Sequence, residues 1–202
     1  PEICLAAVRL NGNALKYVKE QTPEICLAAV NSYGCALRFV KDQTEEICLA
    51  SVKRNARTFC FSKIQTPDMC LLALKHNGLL LQYVHKQTPD ICMNAVMNNA
   101  MALRYVKIQT HDICLEAVKR NGYVLKYVKN QTPDICLVAI RDCPINIQYI
   151  HNQTEEICLE AVSKDNGKAI EFIRNPTKEI YLAAIRNNSE ALMYVKDQTH
   201  DI

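Results

Sequence analysis

No apolar run in the 202 residues approaches the ~18 needed to suggest a membrane span, and no charged-then-apolar signal peptide opens the chain. The sequence has no Trp and only five Gly, with nothing resembling a phosphate-cradling glycine loop. It lacks any Cys-x-x-Cys pair, and its five His show no spacing to match the cysteines, so a zinc site has no sequence support. An Asp-x-Asp-x-Asp-Gly calcium loop is missing too. Charge of one sign is scarce: the formal net charge of +3 neither argues for nucleic acid nor excludes it. No cofactor is expected.

What is present is repetition. The dipeptide Gln-Thr recurs at Gln21, Gln43, Gln65, Gln87, Gln109, Gln131 and Gln153, always 22 residues apart. Thr154 to Thr177 is 23, because Ser163–Gly167 carries one extra residue, and Thr177 to Thr199 returns to 22. The whole chain therefore reads as one array, residues 1–202, with unit boundaries after 22, 44, 66, 88, 110, 132, 154, 177 and 199. It opens without Met and both ends sit in the same phase, which suggests a window cut from a longer array.

Within a unit numbered 1 to 22, apolar residues fall at 3, 4, 5, 7 and 8, then at 14, 15, 17 and 18, which is helical spacing rather than strand alternation. Thr at 22 is an N-cap candidate, the Pro that often follows suits the first helical position, and the acidic residue after it complements the helix dipole. Asn-Gly at 11 and 12 is read as closing the first helix in the left-handed conformation. Each unit is thus expected to be a helix of about ten residues, a tight turn and a helix of about eight. Helices this short are marginal alone, so they must stack. The expected fold is all-α: a right-handed α/α solenoid of nine 22-residue helix–turn–helix repeats.

The run Glu-Ile-Cys-Leu-Ala-Ala-Val, then Asn-Gly-x-Ala-Leu-Lys-Tyr-Val-Lys and Gln-Thr (Glu2 to Thr22), resembles an uncharacterised tandem helical repeat abundant in mimivirus-like giant DNA viruses. The resemblance covers the whole chain and implies a repeat fold. It carries no activity with it.

Several ladders run through the array. Position 4 is Cys in eight units (Cys4, Cys26, Cys48, Cys70, Cys92, Cys114, Cys136, Cys158) and Tyr181 in the ninth. Stacked helices lie ~8–10 Å apart, too far for disulfides between equivalent cysteines, so these read as small buried apolar groups. Thiols in this number point to a reducing compartment: cytoplasm, or host cytoplasm and virion if the chain is viral. The aromatic row at position 17 (Tyr17, Phe39, Phe61, Tyr83, Tyr105, Tyr127, Tyr149, Phe172, Tyr194) is read as core, although stacked bases would also suit it.

Position 19 forms a basic row: Lys19, Lys41, Lys63, Lys107, Lys129, Arg174 and Lys196, with His85 and His151 between them. It could track a phosphate backbone, but it also lies at the helix end whose dipole favours a cation, five residues from an acidic row at position 2. Position 13 drifts more informatively. Leu79, Met101, Tyr123 and Ile145 stand there in four consecutive units, where the ends carry polar residues. If exposed, they would mark a protein-binding patch; otherwise they cover the seam between units. No chemistry-bearing cluster departs from the repeat phase, so no enzyme is expected. The leading expectation is a scaffold binding a protein or peptide along an extended surface. Nucleic-acid binding through the position 19 row and self-assembly into a particle or filament remain as alternatives, with no membrane partner.

Overall fold

A computed structural model describes residues 1–195. The position 19 residue Lys196 therefore lies outside the described residues. Among these residues every element is helical and the repeats follow one another without interruption. The chain divides into two compact units, Pro1–Lys107 and Ile108–Ile202. The first holds α1 (Glu2–Leu10), η1 (Gly12–Tyr17), α2 (Pro23–Ser32), η2 (Gly34–Phe39), α3 (Glu45–Arg54), η3 (Ala56–Phe61), α4 (Pro67–His76), η4 (Gly78–Tyr83), α5 (Pro89–Asn98) and η5 (Ala100–Tyr105), where η marks a 3-10 helix. The second holds α6 (His111–Arg120), η6 (Gly122–Tyr127), α7 (Pro133–Asp142), η7 (Pro144–Tyr149), α8 (Glu155–Lys164), η8 (Lys168–Phe172), α9 (Lys178–Asn187) and η9 (Ser189–Tyr194).

Inside each unit, consecutive α-helices pack side by side, as do consecutive 3-10 helices, and each α-helix also rests on the 3-10 helix of the repeat before it. The helix starts match expectation. Thr22, Thr44, Thr66, Thr88, Thr110, Thr154 and Thr177 each accept a hydrogen bond through Oγ1 from the backbone N–H three residues on, at 3.3–3.4 Å. Thr132 is the exception: its hydroxyl donates to Asp134 instead.

The second helix of each repeat is 3-10, not α. Bonds such as Ala14 N–H to Asn11 O and Val18 N–H to Leu15 O close three-residue steps. In a 3-10 helix residues three apart eclipse, so positions 12 and 15 fall on one line, which position 18 extends at the cap. Gly34, Leu37 and Val40 are all buried, as are Gly122, Leu125 and Val128. The apolar pattern at 14, 15, 17 and 18 fits an α-helix equally well, which is why the spacing alone pointed to one.

Positions 11 and 12 also differ from expectation. The residue at 11 is extended, with φ of −148° at Asn11 and −159° at Asn121, and its side chain caps the following 3-10 helix: Asn11, Asn55, Asn77, Asn99, Asn121 and Asn188 each accept from the N–H two residues on, at 3.0 Å. Glycine at 12 serves close approach rather than left-handed geometry. A Cβ on Gly78 would lie 2.2 Å from the carbonyl oxygen of Ala95 in the next repeat. The one left-handed glycine is Gly167 (φ 76°), in the turn that absorbs the extra residue of the eighth repeat.

Stacking is what buries the first helix. Ile3, with no repeat before it among the described residues, is 87% exposed, whereas its counterpart Ile25 is 3% exposed. Position 17, read as core, is surface instead: none of its nine residues is buried, because positions 12, 15 and 18 take the inward line. Position 5 is likewise half-buried rather than core.

Candidate partner-binding surface

The glutamine of the Gln-Thr signature ties the repeats together and thereby sets which residues remain outside. Gln43 Nε2 donates to the Phe61 carbonyl at 3.0 Å and the Leu37 carbonyl at 3.3 Å, while its Oε1 accepts from Lys63 N–H at 2.8 Å and from the Cys48 thiol at 3.3 Å. The same two-point grip on positions 17 and 19 of the next repeat recurs at Gln21, Gln65, Gln87, Gln109, Gln131 and Gln153. In the sequence this glutamine marks only the phase of the repeat; its recurrence in eight of nine repeats is the signal of a structural role. Pro176 stands at that place in the eighth repeat, so the ninth has no such grip from it.

The cysteine ladder is buried from Cys26 to Cys158, and all eleven cysteines are free thiols. Burial pushes the Cys26, Cys70, Cys92 and Cys114 thiols upward, and Cys136 and Cys158 to about 11, where nearby Asp134 and Glu155 add to the effect. Four ladder thiols donate weakly to the glutamine Oε1 (Cys26, Cys48, Cys92 and Cys114, at 3.3–3.8 Å).

The position 19 row is exposed at Lys19, Lys41, Lys63, Lys107, Lys129 and Arg174. Part of it works inside the fold. Lys41 Nζ donates to the Lys19 carbonyl at 2.8 Å, Lys107 Nζ to the His85 carbonyl at 3.2 Å, and the Arg174 guanidinium to the Ile150 carbonyl. Each cation here occupies a backbone acceptor of the repeat before it.

Positions 13, 16 and 17 converge on the outer side of the 3-10 layer. Lys126 Nζ lies 3.6 Å from the centre of the Tyr123 ring, 5.0 Å from that of Tyr127 and 5.9 Å from that of Tyr149 in the next repeat. The Tyr123 and Tyr149 rings meet edge to face at 5.4 Å. The close Lys126 ammonium draws the Tyr123 phenol below its ordinary value and is itself raised by that phenol, while desolvation raises Tyr149. Cations at position 16 also cover the neighbouring ring at Lys16–Tyr17, Arg38–Phe39 and Arg104–Tyr105, each with 4.6–4.7 Å to the ring centre.

Of the four position 13 candidates, Tyr123 and Ile145 are 44% and 41% exposed in the second unit, and Leu79 and Met101 are half-buried in the first. Each unit therefore presents apolar side chains at this row, partly seated against their neighbours. Tyr149 and Lys126 were not foreseen as companions of Tyr123. The repeat phase contains the signal, since positions 13 and 16 eclipse in a 3-10 helix.

Among the described residues no three His, Cys, Asp or Glu side chains gather closely enough to hold a metal ion, and no helix is long and apolar enough to cross a membrane. The fold defines an all-helical tandem-repeat protein. A family model described as a domain of unknown function (DUF4116) matches twice, at residues 1–44 and 66–109, each match the length of two repeats. No curated protein and no solved structure matches the chain.

Proposed function

We propose that the chain is a non-enzymatic scaffold that binds a protein or peptide partner through the outer face of its 3-10 layer. The observation that carries this reading is the juxtaposition of Tyr123, Lys126 and Tyr149 with the exposed Ile145 in the second unit. Aromatic side chains with a cation between them offer large, stiff contact area and a polar handle together, as protein interfaces favour. The first unit supplies Leu79 and Met101 at the same row. Position 13 ranges over polar, charged, aliphatic and aromatic residues, whereas position 15 of the inward line holds only Leu, Ile or Phe, as expected where side chains answer to a ligand rather than to stacking. With the Cys136 and Cys158 thiols pushed up to about 11, these two buried groups stay protonated and poorly nucleophilic at neutral pH.

The test is affinity capture from native extract, with and without nuclease, comparing the parent chain with Tyr123→Glu/Ile145→Glu and Leu79→Glu/Met101→Glu variants that keep their circular dichroism. The scaffold reading expects nuclease-resistant partners that at least one variant loses. Nuclease-sensitive capture indifferent to both variants would transfer the function to the position 19 row, and recovery of the array alone would indicate self-assembly.

A further inference from the structure

A concentration of unpaired positive charge lies in the first unit, where α3 and α4 end. Lys53, Arg54, Arg57 and His76 line one groove of about 390 Å³ together with the turn residues Asn55, Ala56 and Asn77, and no carboxylate is among the lining groups. Neither Lys53, Arg54 and Arg57 nor the His76 imidazole has an ion-pair partner. Glu46 lines an adjoining groove with Lys53 and Arg54 but pairs with neither. Helix dipoles favour a cation at each of these ends, yet α3 alone contributes two and the turn adds Arg57. The groove sits in the more basic half of the chain: residues 1–107 carry 13 Lys and Arg against 8 Asp and Glu, residues 108–202 carry 11 against 13.

The repeats supply an independent observation about what fits there. Between the sixth and seventh repeats the corresponding place holds a carboxylate from the chain itself: Asp142 Oδ2 accepts from Gly122 N–H at 3.0 Å. Between the fourth and fifth it holds the Asn98 carboxamide oxygen, 2.7 Å from Gly78 N–H. His76 occupies the repeat position of Asp142 and Asn98, and no side chain reaches the Ala56 N–H.

We propose that this groove binds the carboxylates of an acidic peptide segment, held where Asp142 places the chain's own carboxylate three repeats on. The inference rests on the scaffold reading and names the chemistry of its partner. A polyanionic backbone fits less well, because its affinity grows with the number of phosphates neutralised along a track. Here the track stops: the fifth repeat has Met97 and Asn98 where Lys75 and His76 stand in the fourth. Beyond Asn77 the next outward side chain is the apolar Leu79, which suits a peptide carrying apolar residues between its acidic ones.

The experiment uses the full 202-residue chain and fluorescence anisotropy. The probes are a labelled peptide of alternating glutamate and leucine, its glutamine-for-glutamate counterpart, and oligodeoxythymidylate. The glutamate peptide is expected to bind about tenfold or more tightly than the glutamine one, as charge-assisted bonds exceed neutral ones. His76→Asp supplies the groove with its own carboxylate, as Asp142 does, and should lower affinity for the glutamate peptide by about tenfold without lowering the melting temperature. Lys119→Gln, the same change in net charge on the other unit, should leave binding unchanged. The proposal is overturned if the glutamate peptide fails to bind, if His76→Asp binds it like the parent, if Lys119→Gln weakens it equally, or if the oligonucleotide binds more tightly and displaces it. Failure of the scaffold reading is distinct: native capture would be untouched by the Tyr123/Ile145 and Leu79/Met101 variants.

Discussion

Replacing Gln43 by Leu tests the repeat-to-repeat grip directly. The leucine keeps the volume but leaves Phe61 C=O and Lys63 N–H without the partners they have at 3.0 and 2.8 Å. A net hydrogen bond is worth about 0.5–1.5 kcal/mol, so the loss of two predicts roughly 1–3 kcal/mol. Both backbone groups lie near solvent, and water that replaces the amide pulls the value toward the lower end. Urea unfolding of parent and variant, with an unchanged slope, reads this as a lower midpoint. Gln43→Glu sharpens the test because it keeps an acceptor for Lys63 and loses the donor for Phe61. An introduced carboxylate facing the Phe61 and Leu37 carbonyls is disfavoured, so its folded pKa rises above the ordinary glutamate value near 4.3. The sign follows: below that ordinary value the protonated carboxyl can donate and the variant approaches parent stability, and the deficit opens as pH rises through the folded pKa. An unchanged midpoint for Gln43→Leu, or a Gln43→Glu deficit independent of pH between 4 and 7, would refute the grip as a source of stability.

Two further outcomes follow from the packing. Gly78→Ala pushes a Cβ to 2.2 Å from the Ala95 carbonyl oxygen, whereas at Gly34 the nearest atom, Ser51 O, is 3.3 Å away; thermal melts should show an overpacking loss of about 1–3 kcal/mol for the first and clearly less for the second. Cys136 and Cys158 should resist alkylation at neutral pH while exposed Cys143 is modified, as mass spectrometry of timed samples would show. Because the folded thiols ionise only near 11 and unfolded ones near 9, stability is fully present below pH 9 and falls between pH 9 and 11.

The period, the threonine caps and the buried cysteines were legible in the sequence because each rests on a local rule repeated many times over. The 3-10 helix was not. Its apolar positions also satisfy an α-helix, and six-residue 3-10 helices are uncommon enough that spacing favours the commoner form. That single difference of winding carried the other errors: it moved Tyr17 and its eight counterparts outward and removed the left-handed turn expected at Asn11-Gly12. Of the candidate surface, Tyr123 and Ile145 were identified from their drift alone. Lys126, Tyr149 and the groove at Arg57 and His76 depend on which residues of adjacent repeats face each other, and that is set by winding and stacking rather than by periodicity.

The glutamine grip has a consequence for how such arrays can change. Apart from the weak bond from the position 4 thiol, it reads main-chain atoms of the following repeat, a carbonyl and an N–H, and Lys41, Lys63, His85 and Arg174 satisfy it equally. A repeat is therefore joined by grammar rather than by vocabulary. Units can be copied, deleted or reordered with the joint intact, leaving their outward residues to be respelled for a new partner. Where Pro176 replaces the glutamine, the joint is spelled differently: Asn187 of the ninth repeat donates to the Val162 carbonyl, and the Tyr194 hydroxyl to Glu171.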